Sequence, residues 1–178
     1  MGWTLNSDLL ERTQQLDEFF LAIGKALCLA STFEAKCTYI LRIINVTEYH
    51  KNGGQLSDKK ALSEVLKAKL LGRAISEIRG FPDFSDKEIK LLERARDARN
   101  FIAHEGANLG WPLSCVTPRT LRNSLSRLGV EAESLAAGDN LVSRWVFEIE
   151  EKEPAPKLIQ RNYPEWVQEW ILSKFARR

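Results

Sequence analysis

Three cysteines in 178 residues are too few and too scattered for a disulfide framework. Cys28, Cys37 and Cys115 form no Cys-x-x-Cys pair. That removes zinc-ribbon spacing and points to a reducing, cytoplasmic setting. Histidine is scarcer still, at two residues. His104-Glu105 opens like a metalloprotease HExxH, but Asn108 stands where the second histidine belongs. No Walker-type or Gly-x-Gly-x-x-Gly loop is present, and no Gly-x-Ser-x-Gly elbow. A bound metal or nucleotide cofactor is therefore not expected. Uncharged apolar runs fall well short of 18 residues, which excludes a membrane-spanning helix. The first apolar stretch carries acidic residues and has no signal-peptide pattern. Charge of one sign is also lacking: 26 basic against 24 acidic residues leave +2. Any contact with nucleic acid must then be local.

What is there is helical periodicity. Residues 7 to about 48 carry Leu16, Ile23, Ala30, Cys37 and Ile44 every seven positions, with Phe20, Leu27, Glu34 and Leu41 four residues on. Gly24 marks a bend or a close approach within it. His50 to Gln55 reads as a loop, with His50 solvated. Ser57 caps a second helix over about 58–79. Ser85 and Glu88 form a capping box for a third over about 86–105, with Gly106 as the residue that ends it.

A loop follows over 106–116. Its Trp111 either packs the loop down or stacks on a base. Thr117-Pro118 starts another helix, through Leu121, Leu125, Leu128, Ala132 and Leu135. Gly138-Asp139-Asn140 weakens it, and Leu141 to Glu151 reads as a separate helix; Trp145, Phe147 and Ile149 also alternate as in a strand, but a single strand would have no partner in an otherwise helical chain. After Pro154 and Pro156, a short helix starts at Pro164 and carries Trp166 and Trp170. The expected fold is an all-α antiparallel bundle over 1–153. A helical extension over 154–178 packs on that bundle or on a partner protomer.

The helix over 86–105 holds the chemistry. Leu92, Ala95, Arg99 and Ile102 share one row, and Arg96, Asn100 and His104 share the next. A guanidinium in an apolar row either snorkels to water or finds a partner. Glu34 interrupts the apolar row of the first helix in the same way. It either faces water at the stripe's edge or shares a polar pocket with Arg99. His104 either answers the negative helix end or works as a titrating group. Asn100, one turn earlier, is placed to orient its ring.

Arg99-Asn100-Phe101-Ile102-Ala103-His104, near the end of an inner helix of an all-α chain, resembles the motif of HEPN domains. That motif is an arginine, four to six residues and a histidine, with a polar residue after the arginine. The resemblance implies a metal-independent endoribonuclease that acts as a homodimer. Such enzymes are often toxins or defence effectors with an antitoxin partner. It assigns Arg99 to the scissile phosphate, His104 to proton transfer at the RNA 2′-hydroxyl, and Asn100 to orienting the site. Glu34, Arg96 and Glu105 would support it, and the product would be a 2′,3′-cyclic phosphate. Some members of the family are instead dimerisation or adaptor modules, and a nucleotide-binding domain would use the same cleft.

The spacing itself asks for two copies. Residues five apart on a helix point about 140° away from each other. One protomer's Arg99 and His104 converge poorly, and a two-fold axis beside this helix end would complete the site.

Overall fold

The computed structural model describes residues 14–55, 57–67, 69–108 and 117–172. Six helices and no strand occur among them: α1 (Gln14–Lys51), α2 (Lys59–Val65), α3 (Leu71–Ile78), α4 (Asp86–His104), α5 (Pro118–Glu151) and α6 (Lys157–Leu172). The protein is all-α, and no described helix is long and apolar enough to cross a membrane.

Ile23, Ala30, Cys37 and Leu41 of the expected α1 stripe are buried, but its second row differs in part from the expected one. Phe19, Ala26, Phe33 and Ile40 are all fully or almost fully buried. They lie three residues, not four, after the Leu16, Ile23, Ala30, Cys37 row. An α-helix alternates steps of three and four, and here the three-residue step faces the bundle. Phe20 and Leu27 consequently stand exposed, and Glu34 marks the edge of the stripe. Gly24 is in open space inside a continuous helix, so it makes no close approach. His50 and Lys51 close the last turn of α1 as helix, not loop, and the turn follows at Gly53, where φ is +83°.

The single helix expected over 58–79 is two helices. Asp58, not Ser57, caps α2 through the N–H groups of Lys60 and Ala61. The chain then leaves helix at Leu66 and re-enters it at Leu71, after an extended Leu70. Leu71, Ala74, Ile75 and Ile78 reach the core, whereas α2 buries no residue at all.

Thr117 and Pro118 start α5 as expected. It then runs unbroken through Gly138-Asp139-Asn140 to Glu151. The glycine is a contact: a Cβ there would collide with that of Ala95 and press on Phe33. Its absence lets α4 and α5 cross closely. α6 likewise begins at Lys157 and carries Pro164 inside it, rather than starting there. Val167, Ile171 and Leu172 pack into the bundle, while Trp166 and Trp170 stay about half exposed. Lys25 of α1 holds the end of α6, donating to the Trp170 carbonyl at 2.6 Å with its ammonium 5.4 Å from the indole centroid.

Helix directions follow from paired residues. Glu88 meets Arg144, Gly138 meets Ala95, and Glu105 meets Arg127, so α4 and α5 run antiparallel. Asn140 bonds Gln160 while Gly129 faces Leu172, so α5 and α6 do too. Arg99 meets Glu34 and Gly106 faces Ile23, which sets α4 antiparallel to α1. The bundle thus places the C-terminal end of α4 against the middle of α1.

Candidate active site

The capping box fixes where α4 begins. The Ser85 hydroxyl accepts from the Glu88 N–H, and the Glu88 carboxylate accepts from the Ser85 N–H at 3.0 Å. The other Glu88 oxygen takes Arg144 of α5 at 2.5 Å. Burial pushes the Glu88 carboxyl up, but the Ser85 bonds and Arg144 outweigh it and hold it below the usual range. A start locked to α5 sets the angular position of every later residue on α4. Ile89, Leu92, Ala95, Ala98 and Ile102 face the core, and Arg99 lies on the flank toward α1.

There Arg99 meets Glu34, Nη2 to Oε2 at 2.5 Å. The two side chains are 25% and 30% exposed, neither buried nor free in water. The shared polar pocket inferred from two interrupted apolar rows is therefore present. Nη1 donates to the Asn100 side-chain oxygen at 3.2 Å. A guanidinium has five N–H donors, so three are uncommitted among the described residues. An arginine clamped on one edge, with its other edge open, suits a phosphate group.

His104 is the last residue of α4 and exposed, with no hydrogen bond or ion pair among the described residues. The helix does not unwind before it: Glu105 and Gly106 both donate to the Phe101 carbonyl, at 2.7 and 2.8 Å. The divergence of about 140° between Arg99 and His104 therefore stands within one chain. The Asn100 side-chain oxygen accepts from Arg99, and among the described residues Asn100 makes no bond to the His104 ring, contrary to the role expected of it. Arg96 pairs with its neighbour Asp97, at 2.9 and 2.7 Å. Glu105 faces α5, 3.6 Å from Arg127, whose guanidinium lies 4.0 Å over the Phe101 ring. Gly106 does close the helix, but without a left-handed φ. A Cβ there would stand 2.8 Å from the Ile102 carbonyl oxygen and 3.2 Å from Ile23. Trp111 lies outside the described residues.

A second polar cluster escaped the sequence reading. Asp139 of α5 is fully buried. Both its oxygens accept from Lys36 of α1 at 2.9 Å, and one also accepts from the Tyr163 hydroxyl of α6. Lys36 donates further to Ser143 at 2.8 Å. Burial, then the Asp139 charge, pushes the Tyr163 hydroxyl above its ordinary range. Burial does the same to the Cys37 thiol beside the cluster. The signal was available: Leu121, Leu125, Leu128, Ala132 and Leu135 continue to Asp139 and then Val142 at helical spacing. A carboxylate in an apolar row is the same sign that pointed to Glu34.

Comparison with known proteins brings no match: no family model fits the chain, and no curated protein and no solved structure is significantly similar to it.

Proposed function

We propose that this protein is a metal-independent endoribonuclease of HEPN type, cleaving RNA at a site completed by two protomers. The observation that carries the reading is the state of Arg99, held along one edge by Glu34 with donors to spare and sharing a helix end with the solvent-open His104. In this reading Arg99 binds the non-bridging oxygens of the scissile phosphate. One His104 takes the proton from the 2′-hydroxyl as its oxygen attacks phosphorus. The His104 of the second copy protonates the departing 5′-oxygen as its bond to phosphorus breaks. The products are a 2′,3′-cyclic phosphate and a 5′-hydroxyl. Imidazole suits both transfers because its ordinary pKa, about 6.5, lies near neutrality. The divergence of Arg99 and His104 within one chain supports a cleft between copies.

The test is incubation of the purified protein with mixed RNA in EDTA, beside Arg99→Ala and His104→Ala. Cleavage by the wild type alone, leaving cyclic phosphate ends, is expected. A second reading, a non-catalytic dimerisation module, draws on the half-exposed Trp166 and Trp170. It is favoured if no RNA is cut and both substitutions weaken self-association instead.

A further inference from the structure

The net charge of +2 hides a strong asymmetry. Residues 59–79 hold six basic and two acidic side chains, a local net of +4, so the rest of the chain is net negative. The six are Lys59, Lys60, Lys67, Lys69, Arg73 and Arg79. Their partners are few: Glu77 is shared by Lys69 and Arg73, Glu64 stands 3.8 Å from Lys67, and Arg79 pairs with Glu93 of α4, which leaves Lys59 and Lys60 without an ion pair among the described residues. Lys59, Lys60 and Lys67 project from the rim of α2, the one helix that buries nothing. An open groove of about 510 Å³ runs between α2 and α3, lined by Glu64, Lys67, Lys69, Leu70 and Arg73.

This arm adjoins the candidate site. Gly72, in the first turn of α3, faces the Arg96 side chain, with 3.8 Å between a Cβ there and Arg96 Cδ. Arg96 stands one turn before Arg99 on α4. On the other side, Arg42 of α1 donates to the Leu66 carbonyl at 3.1 Å, two turns beyond Glu34. The arm therefore packs beside Arg96, one turn from Arg99, with Asp97 and Glu93 as the acids of α4 at that border.

We propose that the α2–α3 arm is a docking surface for the RNA phosphate backbone, leading the strand to Arg99. The proposal rests on the ribonuclease reading for its ligand. Residues 59–79 contain no aromatic side chain, so the arm offers no stacking platform. It grips charge without selecting bases. The grip is salt-dependent, because each lysine that neutralises a phosphate releases counterions.

The experiment is equilibrium binding of a fluorescein-labelled, mixed-sequence single-stranded RNA of 20 nucleotides, followed by anisotropy across a salt series. Wild type and His104→Ala are compared with and without Lys59→Glu, Lys60→Glu and Lys67→Glu together. Acids at the first two positions of α2 suit its N-terminus, and circular dichroism checks that the helices persist. A matched control reverses Lys87, Lys157 and Arg161, all exposed and outside the arm. The arm variant is expected to lose at least about tenfold in affinity near 0.1 M salt. Changing the same three lysines to glutamine should flatten the log–log salt slope by roughly 2.

Equal loss in the control would overturn the proposal in favour of a general charge effect. Unchanged binding in the arm variant would overturn it too, leaving exposed Leu66 and Leu70 to a protein partner. Binding lost with the arm, in a wild type that never cleaves, would keep the arm and sink the ribonuclease. Cleavage and binding indifferent to the arm would do the reverse, and no RNA binding by the wild type would end both.

Discussion

Glu34 and Lys36 are two residues apart on α1, yet they serve opposite kinds of polar cluster. At 100° per residue they point about 200° apart, one toward α4 and the other toward α5 and α6. The Lys36 cluster is closed. Its ammonium has three donors, and these meet both Asp139 oxygens and Ser143, while Tyr163 fills a remaining acceptor of Asp139. No Lys36 donor is left over for a ligand. The Glu34–Arg99 pair is half open, with three guanidinium donors unspent among the described residues. A fully buried carboxylate whose oxygens accept from both Lys36 and Tyr163 marks the first as a lock between three helices. Spare donors, with neither partner buried, mark the second as the candidate site.

The sharpest way to break this comparison is Asp139→Ala. It strands the Tyr163 hydroxyl and the Lys36 ammonium in the interface. Removing one partner of a buried pair costs about 3 kcal/mol or more, and the 30% exposure of Lys36 sets this case at the lower end, near 3. Urea unfolding measures it, and a loss under 1 kcal/mol would show that the cluster locks nothing.

Next comes Gly138→Ala, expected to cost about 2 kcal/mol by overpacking the α4–α5 crossing. Ala95 is the atom-level cause. Adding Ala95→Gly should therefore cost less than the two single changes predict when summed, whereas full additivity would place the strain elsewhere.

Tyr163→Phe is smaller, at about 1.5 kcal/mol for one hydrogen bond to a charged group. It also carries a pH signature. The hydroxyl's pKa is raised on folding, so its contribution is complete below the unfolded value near 10 and declines as pH rises above it. Cys37, raised from 9.0, adds a similar decline that begins about one unit earlier. Wild-type stability should fall from about pH 9 upward. Tyr163→Phe should lack the part that begins near 10, and an unchanged alkaline profile would remove the hydroxyl from the cluster.

Much of the site was legible in the sequence because its signals are local. The Ser85–Glu88 box, the Thr117-Pro118 start and the two charges interrupting apolar rows are all readable within a few turns. The errors came where a local cue lost to packing. Gly138-Asp139-Asn140 has turn chemistry, but the bundle uses the glycine for a close crossing and the aspartate for a lock. Pro164 reads as a helix start, yet seven helical residues precede it. One row of the α1 seam is not legible locally, because Phe20 and Leu27 are as apolar as Phe19 and Ala26, and only the partner helices decide between them.

Glu34→Gln is expected to have the smallest effect on stability and the most informative one on function. Its pair is about a quarter to a third exposed, so solvent screens it, and the loss should be about 0.5–1 kcal/mol and shrink with added salt. The amide still accepts a hydrogen bond, so Arg99 stays nearby but is held less firmly. If Arg99 serves a phosphate, RNA cleavage should fall roughly tenfold with the fold intact, since misplacement by about 1 Å can cost up to a hundredfold. Arg99→Ala should abolish cleavage at a similarly small cost in stability. A stability loss near 3 kcal/mol in either variant would instead make this pair a second lock, and the distinction between the two faces of α1 would fail.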